Sequence, residues 1–150
     1  MNIPRHTFPK LCPCNLRTRF LGCCGLYLFG KKKPLTAVKL MRSRYSAYAL
    51  GGFGQYLVDT WWSSDQHLNV DQLSTREFDW QGLEIIDKQT DGHTAEVEFK
   101  AFYGDIDREL DKNSNATSGL VKSDTRGCLH ERSSFRRENG RWYYVTGKIL

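Results

Sequence analysis

Four of the five cysteines in this 150-residue chain fall within thirteen residues, as Cys12-Pro13-Cys14 and then, after a spacer of eight, Cys23-Cys24. A segment this short cannot bury enough apolar surface to hold its own shape. It can, however, surround a cation. Structural Zn²⁺ takes four soft donors at the corners of a tetrahedron, and two close cysteine pairs joined by a turn supply them. Binding energy then becomes folding energy, on the order of 10–16 kcal/mol for short zinc-binding peptides at neutral pH. Disulfides explain the pattern less well. Adjacent cysteines bond to each other with difficulty, no signal peptide is read before them, and Cys128 stands alone far downstream, where it is expected as a small buried residue. A lipoprotein signal ending at Cys23 fails because Arg17 and Arg19 sit where an apolar run is required.

Composition allows one modest core beside this appendage. With 39% hydrophobic and 13% aromatic residues, the chain carries too much charge for a membrane protein and too many aromatics for a disordered one. The stretch 20–30 is too short to span a bilayer and is broken by cysteines and glycines, so a soluble, cytoplasmic protein is expected. Lys31-Lys32-Lys33-Pro34 reads as a linker, because like charges repel and proline disfavours helix in the residue before it. The expected division is therefore a zinc knuckle with its basic linker over 1–33 and a second domain over 34–150.

Beyond Pro34 the apolar period is helical. Ala37, Met41, Arg44, Tyr45 and Tyr48 recur at steps of three and four, with Thr36 as N-cap and Gly51-Gly52 as the stop. A short helix is expected over 53–62 and a turn or third helix over 70–78. The period then becomes two. Segments 80–88, 94–103, 126–137 and 141–148 read as strands, with turns at Asp91-Gly92 and Asn139-Gly140, the latter a strong hairpin signal. Helices first and an antiparallel meander afterwards define an α+β architecture. The polar stretch 105–125 reads as a solvated loop, with a lid as the alternative.

Several blocks carry a resemblance. The spacing of Cys12, Cys14, Cys23 and Cys24, with Pro13, Phe20 and Gly25, resembles the SEC-C zinc motif, named for the carboxyl terminus of the SecA translocation ATPase. Leu40-Met41-Arg42-Ser43-Arg44-Tyr45-Ser46-Ala47-Tyr48, Tyr56-Leu57-Val58 with Thr60-Trp61, Glu131-Arg132-Ser133-Ser134-Phe135, and Glu138-Asn139-Gly140-Arg141-Trp142-Tyr143-Tyr144 are similar to the bacterial YchJ family. The resemblance implies a zinc knuckle followed by a nuclear-transport-factor-2-like domain, a curved antiparallel sheet wrapped over the N-terminal helices to form an open cone. Where the family usually has Gly-Ser-Gly after the second cysteine, this chain has Asn15-Leu16-Arg17, and an arginine tolerates positive φ poorly. Members of the family often carry a second SEC-C motif at the carboxyl end, where this sequence reads Gly147-Lys148-Ile149-Leu150.

Charge is segregated. Ten Lys or Arg and no Asp or Glu precede Asp59, and twelve basic and seventeen acidic residues make up the rest, so the two parts carry +10 and −5. Four thiolates with Zn²⁺ would leave the first part near about +8. Such a face attracts acidic or phosphate-rich partners at low salt, or simply solvates the surface. The leading expectation is an adaptor that contacts a protein or the ribosome through the basic knuckle, since the motif resembles the SecA element that meets the SecB chaperone and the translation machinery. The alternative from another class is a small-molecule-binding domain or enzyme that uses the cone. For that reading Arg44, Trp61, Glu131 and Ser133 are the cavity candidates, with Leu129, Glu131, Ser133 and Phe135 sharing one strand face and Arg44 expected to pair with Glu131. No catalytic constellation emerges, as His67, His93 and His130 are widely separated. An adaptor requires an exposed basic knuckle and a filled cone, whereas the cavity reading requires open space with unpaired polar groups.

Overall fold

The computed structural model describes residues 8–62, 67–106 and 126–150. The polar stretch read as loop or lid falls mostly outside them. A 3₁₀ turn at Phe20–Gly22 leads from the cysteine loop into a one-turn helix, α1 (Cys24–Leu28). The long helix α2 (Ala37–Leu50) follows, then α3 (Gly54–Asp59) and α4 (Val70–Ser74). Thr36 Oγ1 accepts from the Lys39 amide at 3.1 Å, satisfying one of the four free donors of the first turn. Gly51 and Gly52 end the helix at φ of 72° and 84°, a conformation that L side chains rarely adopt.

Helix α2 is buried on more than one stripe. Met41, Arg44, Tyr45 and Tyr48 look toward the sheet, while Leu40, Ser43, Ser46 and Ala47 are buried as well. The second side is covered by the cysteine segment and α3. Cys12, Cys14, Phe20, Cys24 and Leu28 lie in the same buried cluster as Leu40, Met41 and Tyr45, and Phe8, Phe20, Phe29 and Phe53 pack ring against ring across it. The small hydroxyls on this side are satisfied. Ser43 Oγ donates to the Leu40 carbonyl at 2.8 Å and receives the Tyr56 hydroxyl at 2.6 Å.

Four antiparallel strands, β1 (Asp79–Asp91), β2 (Thr94–Gly104), β3 (Gly127–Glu138) and β4 (Arg141–Ile149), form a meander in the order β1-β2-β3-β4. At its C-terminal end each runs one to three residues beyond the sequence expectation, because cross-strand pairing continues there, while β1 begins one residue earlier than expected and β3 one residue later. Asn139 and Gly140 turn at φ of 52° and 76°, the two positive values that a two-residue hairpin needs to match strand twist. Register shifts that leave one extra residue in β1 between Trp80 and Gly82 and between Ile85 and Asp87, and one in β4 between Tyr144 and Thr146 opposite Ser134/Phe135, bend the sheet around α2. The far edge is tied to the helices where the Tyr144 amide donates to the Thr60 carbonyl at 2.8 Å and the Trp62 amide to the Tyr144 carbonyl at 2.7 Å.

Alternation sorts the strand residues onto two faces. Ala95, Val97, Phe99 and Ala101 of β2 are buried, with Leu129, Glu131, Ser133 and Phe135 of β3 on the same concave side. On the other side, Arg132 holds Glu96 at 2.8 Å and Asp87 at 3.2 Å, and His130 Nε2 lies 3.3 Å from Glu98. Cys128 falls on this outer face and is exposed, contrary to the sequence expectation, since its parity opposes Leu129 and Glu131. Among the described residues no helix is long and apolar enough to cross a membrane.

Candidate functional sites: a four-cysteine centre and an aromatic cavity

The loop that carries the first cysteine pair folds on itself. The Cys12 amide donates to the Thr18 carbonyl and the Leu16 amide to the Cys12 carbonyl, both at 2.8 Å, and Asn15 Oδ1 accepts from the amides of Arg17 and Thr18 at 2.8 and 3.1 Å. The positive φ lies at Leu16, at 55°, not at Arg17, so the arginine that the sequence marked as the strained residue is not the one that carries the strain. Leu16→Gly should therefore stabilise the metal-loaded protein by about 0.5–1 kcal/mol, the relief of roughly 1–2 kcal/mol of left-handed strain less the added freedom of an unfolded glycine. Denaturant midpoints test this, and a lower midpoint would mean that the Leu16 side chain contributes packing worth more than the strain.

The loop and the start of α1 bring Cys12, Cys14, Cys23 and Cys24 together with all four sulfurs within 4.8 Å of one another. No disulfide joins them. Tetrahedral thiolate coordination at ~2.3 Å places sulfurs about 3.8 Å apart, and the Cys14 and Cys23 sulfurs stand at 3.6 Å. The set therefore fits a metal ion. Its proton chemistry agrees: hydrogen bonds from Cys14 and Cys24 hold the Cys12 thiol down at about 2, while bonding to Cys12 pushes Cys14 up to about 12 and raises Cys24. A divalent cation among the sulfurs would remove the conflict between neighbouring thiolates.

Two contacts that the sequence did not disclose seat the centre on α2. Ser46 Oγ lies 3.7 Å from Cys12 Sγ, and Arg42 Nη1 donates to the Cys14 carbonyl at 3.1 Å. Outer contacts of this kind fix the orientation of metal ligands. The available signal was a pair of serines, Ser43 and Ser46, on a helix that would otherwise be expected to bury apolar groups.

On the opposite side of α2, a cavity of about 490 Å³ opens toward the concave face of the sheet. Arg44, Trp61, Glu131 and Ser133 all line it. Arg44 is 5% exposed, and its Nη1 donates to the Leu57 carbonyl at 2.8 Å and to Thr60 Oγ1 at 2.7 Å. Its Cζ stands 4.9 Å from the Trp61 ring centre and 4.7 Å from that of Tyr144, so two aromatic faces share the charge. Burial lowers the Arg44 pKa, with Tyr48, Tyr144, Tyr56 and Glu131 opposing.

The expected Arg44–Glu131 ion pair is absent. Glu131 Oε1 instead accepts from Ser133 Oγ at 2.8 Å and from the Tyr144 hydroxyl at 3.3 Å. The end of α3 reaches the guanidinium first, and Ser133, two residues along the same strand face, reaches the carboxylate. Gly147 of β4, paired with Ser133, leaves room for that carboxylate, since a Cβ there would collide with Glu131 Oε1. Burial, followed by the Glu131 charge, pushes the Tyr144 hydroxyl pKa up, which keeps it a donor. Trp61 Nε1 and Tyr45 Oη are buried without a hydrogen bond, although the Gly82 backbone slightly opposes the burial that pushes Tyr45 up to about 12. Tyr144 was missed in the sequence because nothing in β4 marks which of its tyrosines turns inward. Trp62 packs outside the cavity, against Tyr143 and under Arg136, and neither His67, His93 nor His130 lines it.

A bent antiparallel meander over one long helix, with a cysteine centre on the far side of that helix, defines an NTF2-like α+β protein with an N-terminal SEC-C motif. Residues 36–147 match the middle NTF2-like domain of YchJ, and the chain belongs to that family. It is 34% identical over 143 residues to a UPF0225 protein of Serratia proteamaculans, covering 93% of this chain and 83% of that protein. A UPF0225 protein of Corynebacterium glutamicum is 33% identical over 144 residues, with 93% and 98% covered. The solution structure of a SEC-C motif containing protein from Rhodopseudomonas palustris is 29% identical with a TM-score of 0.72, covering 93% of this chain and 98% of that one. A crystal structure of another such protein, from Psychrobacter arcticus, is 25% identical with a TM-score of 0.70, covering 94% and 83%.

Proposed function

We propose that this protein binds a small molecule in the cavity between α2 and the sheet, and that a structural zinc held by Cys12, Cys14, Cys23 and Cys24 anchors the helix that forms the cavity floor. The observation that carries the reading is Arg44, a buried guanidinium at the cavity wall with no carboxylate paired to it among the described residues. Burying a charge without a counterion costs stability, and such a cost is commonly retained where a ligand uses the group. A cavity of this volume, lined mostly by apolar and aromatic side chains with a few convergent polar groups, has the usual character of a ligand site.

Filling the cavity tests the reading. Ala101 of β2 is 2% exposed and lines the space, so Ala101→Trp should occupy it. A small-molecule library screened by thermal shift and tryptophan quenching is expected to yield compounds that stabilise the native chain and not the variant. Absence of any such compound, or equal stabilisation of both proteins, would remove the proposal.

The basic knuckle supports a second reading, contact with an acidic protein or ribosome. Lys10, Arg17 and Arg19 are exposed beside the exposed Leu11, Leu16 and Leu21, a combination of charge and apolar surface suited to a partner. If this face engages nucleic acid, affinity should fall steeply as salt rises, through loss of counterion release. Binding that is missing at low salt, or unaffected by salt, would leave these cations a solvating role only.

A further inference from the structure

Resting on the cavity reading above, we infer that the ligand is an uncharged, flat aromatic molecule that carries an N–H or O–H donor beside a carbonyl acceptor, as along the edge of a bicyclic lactam. Three observations lead there. Arg44 donates through Nη1 to Leu57 and Thr60 and also interacts with the Tyr48 hydroxyl, and its side chain still lines the cavity beside that tyrosine. Glu131 accepts through Oε1, and among the described residues Oε2 has no hydrogen-bond partner. The two groups meet Tyr144 at different places, the guanidinium over the ring face and the carboxylate at the hydroxyl, without forming an ion pair with each other. The cavity thus presents a charged donor edge and a free acceptor on either side of one tyrosine.

Charge decides what fits between them. A monoanion gains from Arg44 but is opposed by Glu131 and by the exposed Glu77, which also lines the cavity; a cation gains from the carboxylates but is opposed by Arg44. A ligand of either charge thus meets a repulsion as well as an attraction at this wall. A neutral group that accepts from the guanidinium and donates to the carboxylate satisfies both without repulsion. The walls select the rest. Tyr45, Phe78, Trp80, Phe99 and Tyr144 surround the space, and flat apolar bodies pack well against such faces.

Binding of five probes to the intact, zinc-loaded protein tests this: carbostyril as the bicyclic lactam, N-methylcarbostyril without its donor, quinoline without either group, benzoate as the anion and benzylamine as the cation. Carbostyril should bind at least about ten-fold more tightly than each of the others, the scale of one buried donor left unpaired. In Glu131→Leu, carbostyril should fall to the level of N-methylcarbostyril while the latter is unchanged, and in Arg44→Lys both should weaken. Trp62→Phe, outside the cavity, should alter none of the five. Tightest binding by benzoate or by benzylamine would overturn the inference in favour of an ionic ligand. Equal binding of all aromatic probes would overturn the ligand class and leave the cavity reading in place. Failure of all five to bind would overturn the inference, and the cavity reading would then stand or fall on the library comparison with Ala101→Trp.

Discussion

A Cys23→Ser, Cys24→Ser variant is expected to lose its metal and melt the N-terminal segment, and this should be the largest effect of any substitution in the chain. Native protein purified without added zinc should contain about one equivalent, and strong chelators should reproduce the variant. Structural zinc contributes on the order of 10 kcal/mol to segments that lack a core of their own. The loss should reach beyond the knuckle, because Cys12, Cys14, Phe20 and Cys24 are buried in one cluster with Leu40 and Tyr45 of α2. A single cooperative transition at a lower denaturant midpoint is the expected signature, in place of separate melting of an independent appendage. Metal content well below one equivalent, with four thiols freely titratable in the native state, would sink the claim.

Arg44→Met should destabilise the fold by about 2–4 kcal/mol. Two hydrogen bonds from a charged donor are each worth ~1.5–3 kcal/mol, and the two aromatic faces add ~0.5–2 kcal/mol apiece. Relief of the guanidinium's desolvation offsets several kcal/mol of that sum. Glu131→Leu removes bonds from Ser133 and Tyr144 at a half-buried site and should cost about 1 kcal/mol. Because the two charges do not pair, the double variant should lose nearly the sum, with a coupling below about 1 kcal/mol through their shared neighbour Tyr144. A coupling of about 3 kcal/mol or more would show that the side chains meet after all. Denaturant midpoints of the two single variants and the double one supply the measurement.

Local signals predicted the elements well where one residue dictates the backbone. Thr36 caps α2, Gly51-Gly52 stops it, and Asn139-Gly140 turns the last hairpin, each through chemistry confined to three or four neighbours. The inward parity of Leu129, Glu131, Ser133 and Phe135 follows from the period of two and needs no tertiary information. Parity also places Cys128 outside, but a lone cysteine gave no reason to apply it there. Partners were less legible. Arg44 was assigned to Glu131 because each is a charge on an apolar face, and a backbone carbonyl at the end of α3 cannot be foreseen as the competing acceptor.

Local spacing is thus enough to single out the four cysteines, the order of helices and strands, and the residues that the concave face carries. All of these rest on spacing along the chain, which folding does not alter. Folding in three dimensions adds that the cysteine segment and the cavity lie against opposite sides of one helix, that Leu16 bears the strain of the loop, and that Arg44 and Glu131 take separate partners. These depend on which groups arrive first at a shared point in space. Leu57, Thr60 and Tyr144 settle that for Arg44 from 13, 16 and 100 residues away, through contacts that no local pattern encodes.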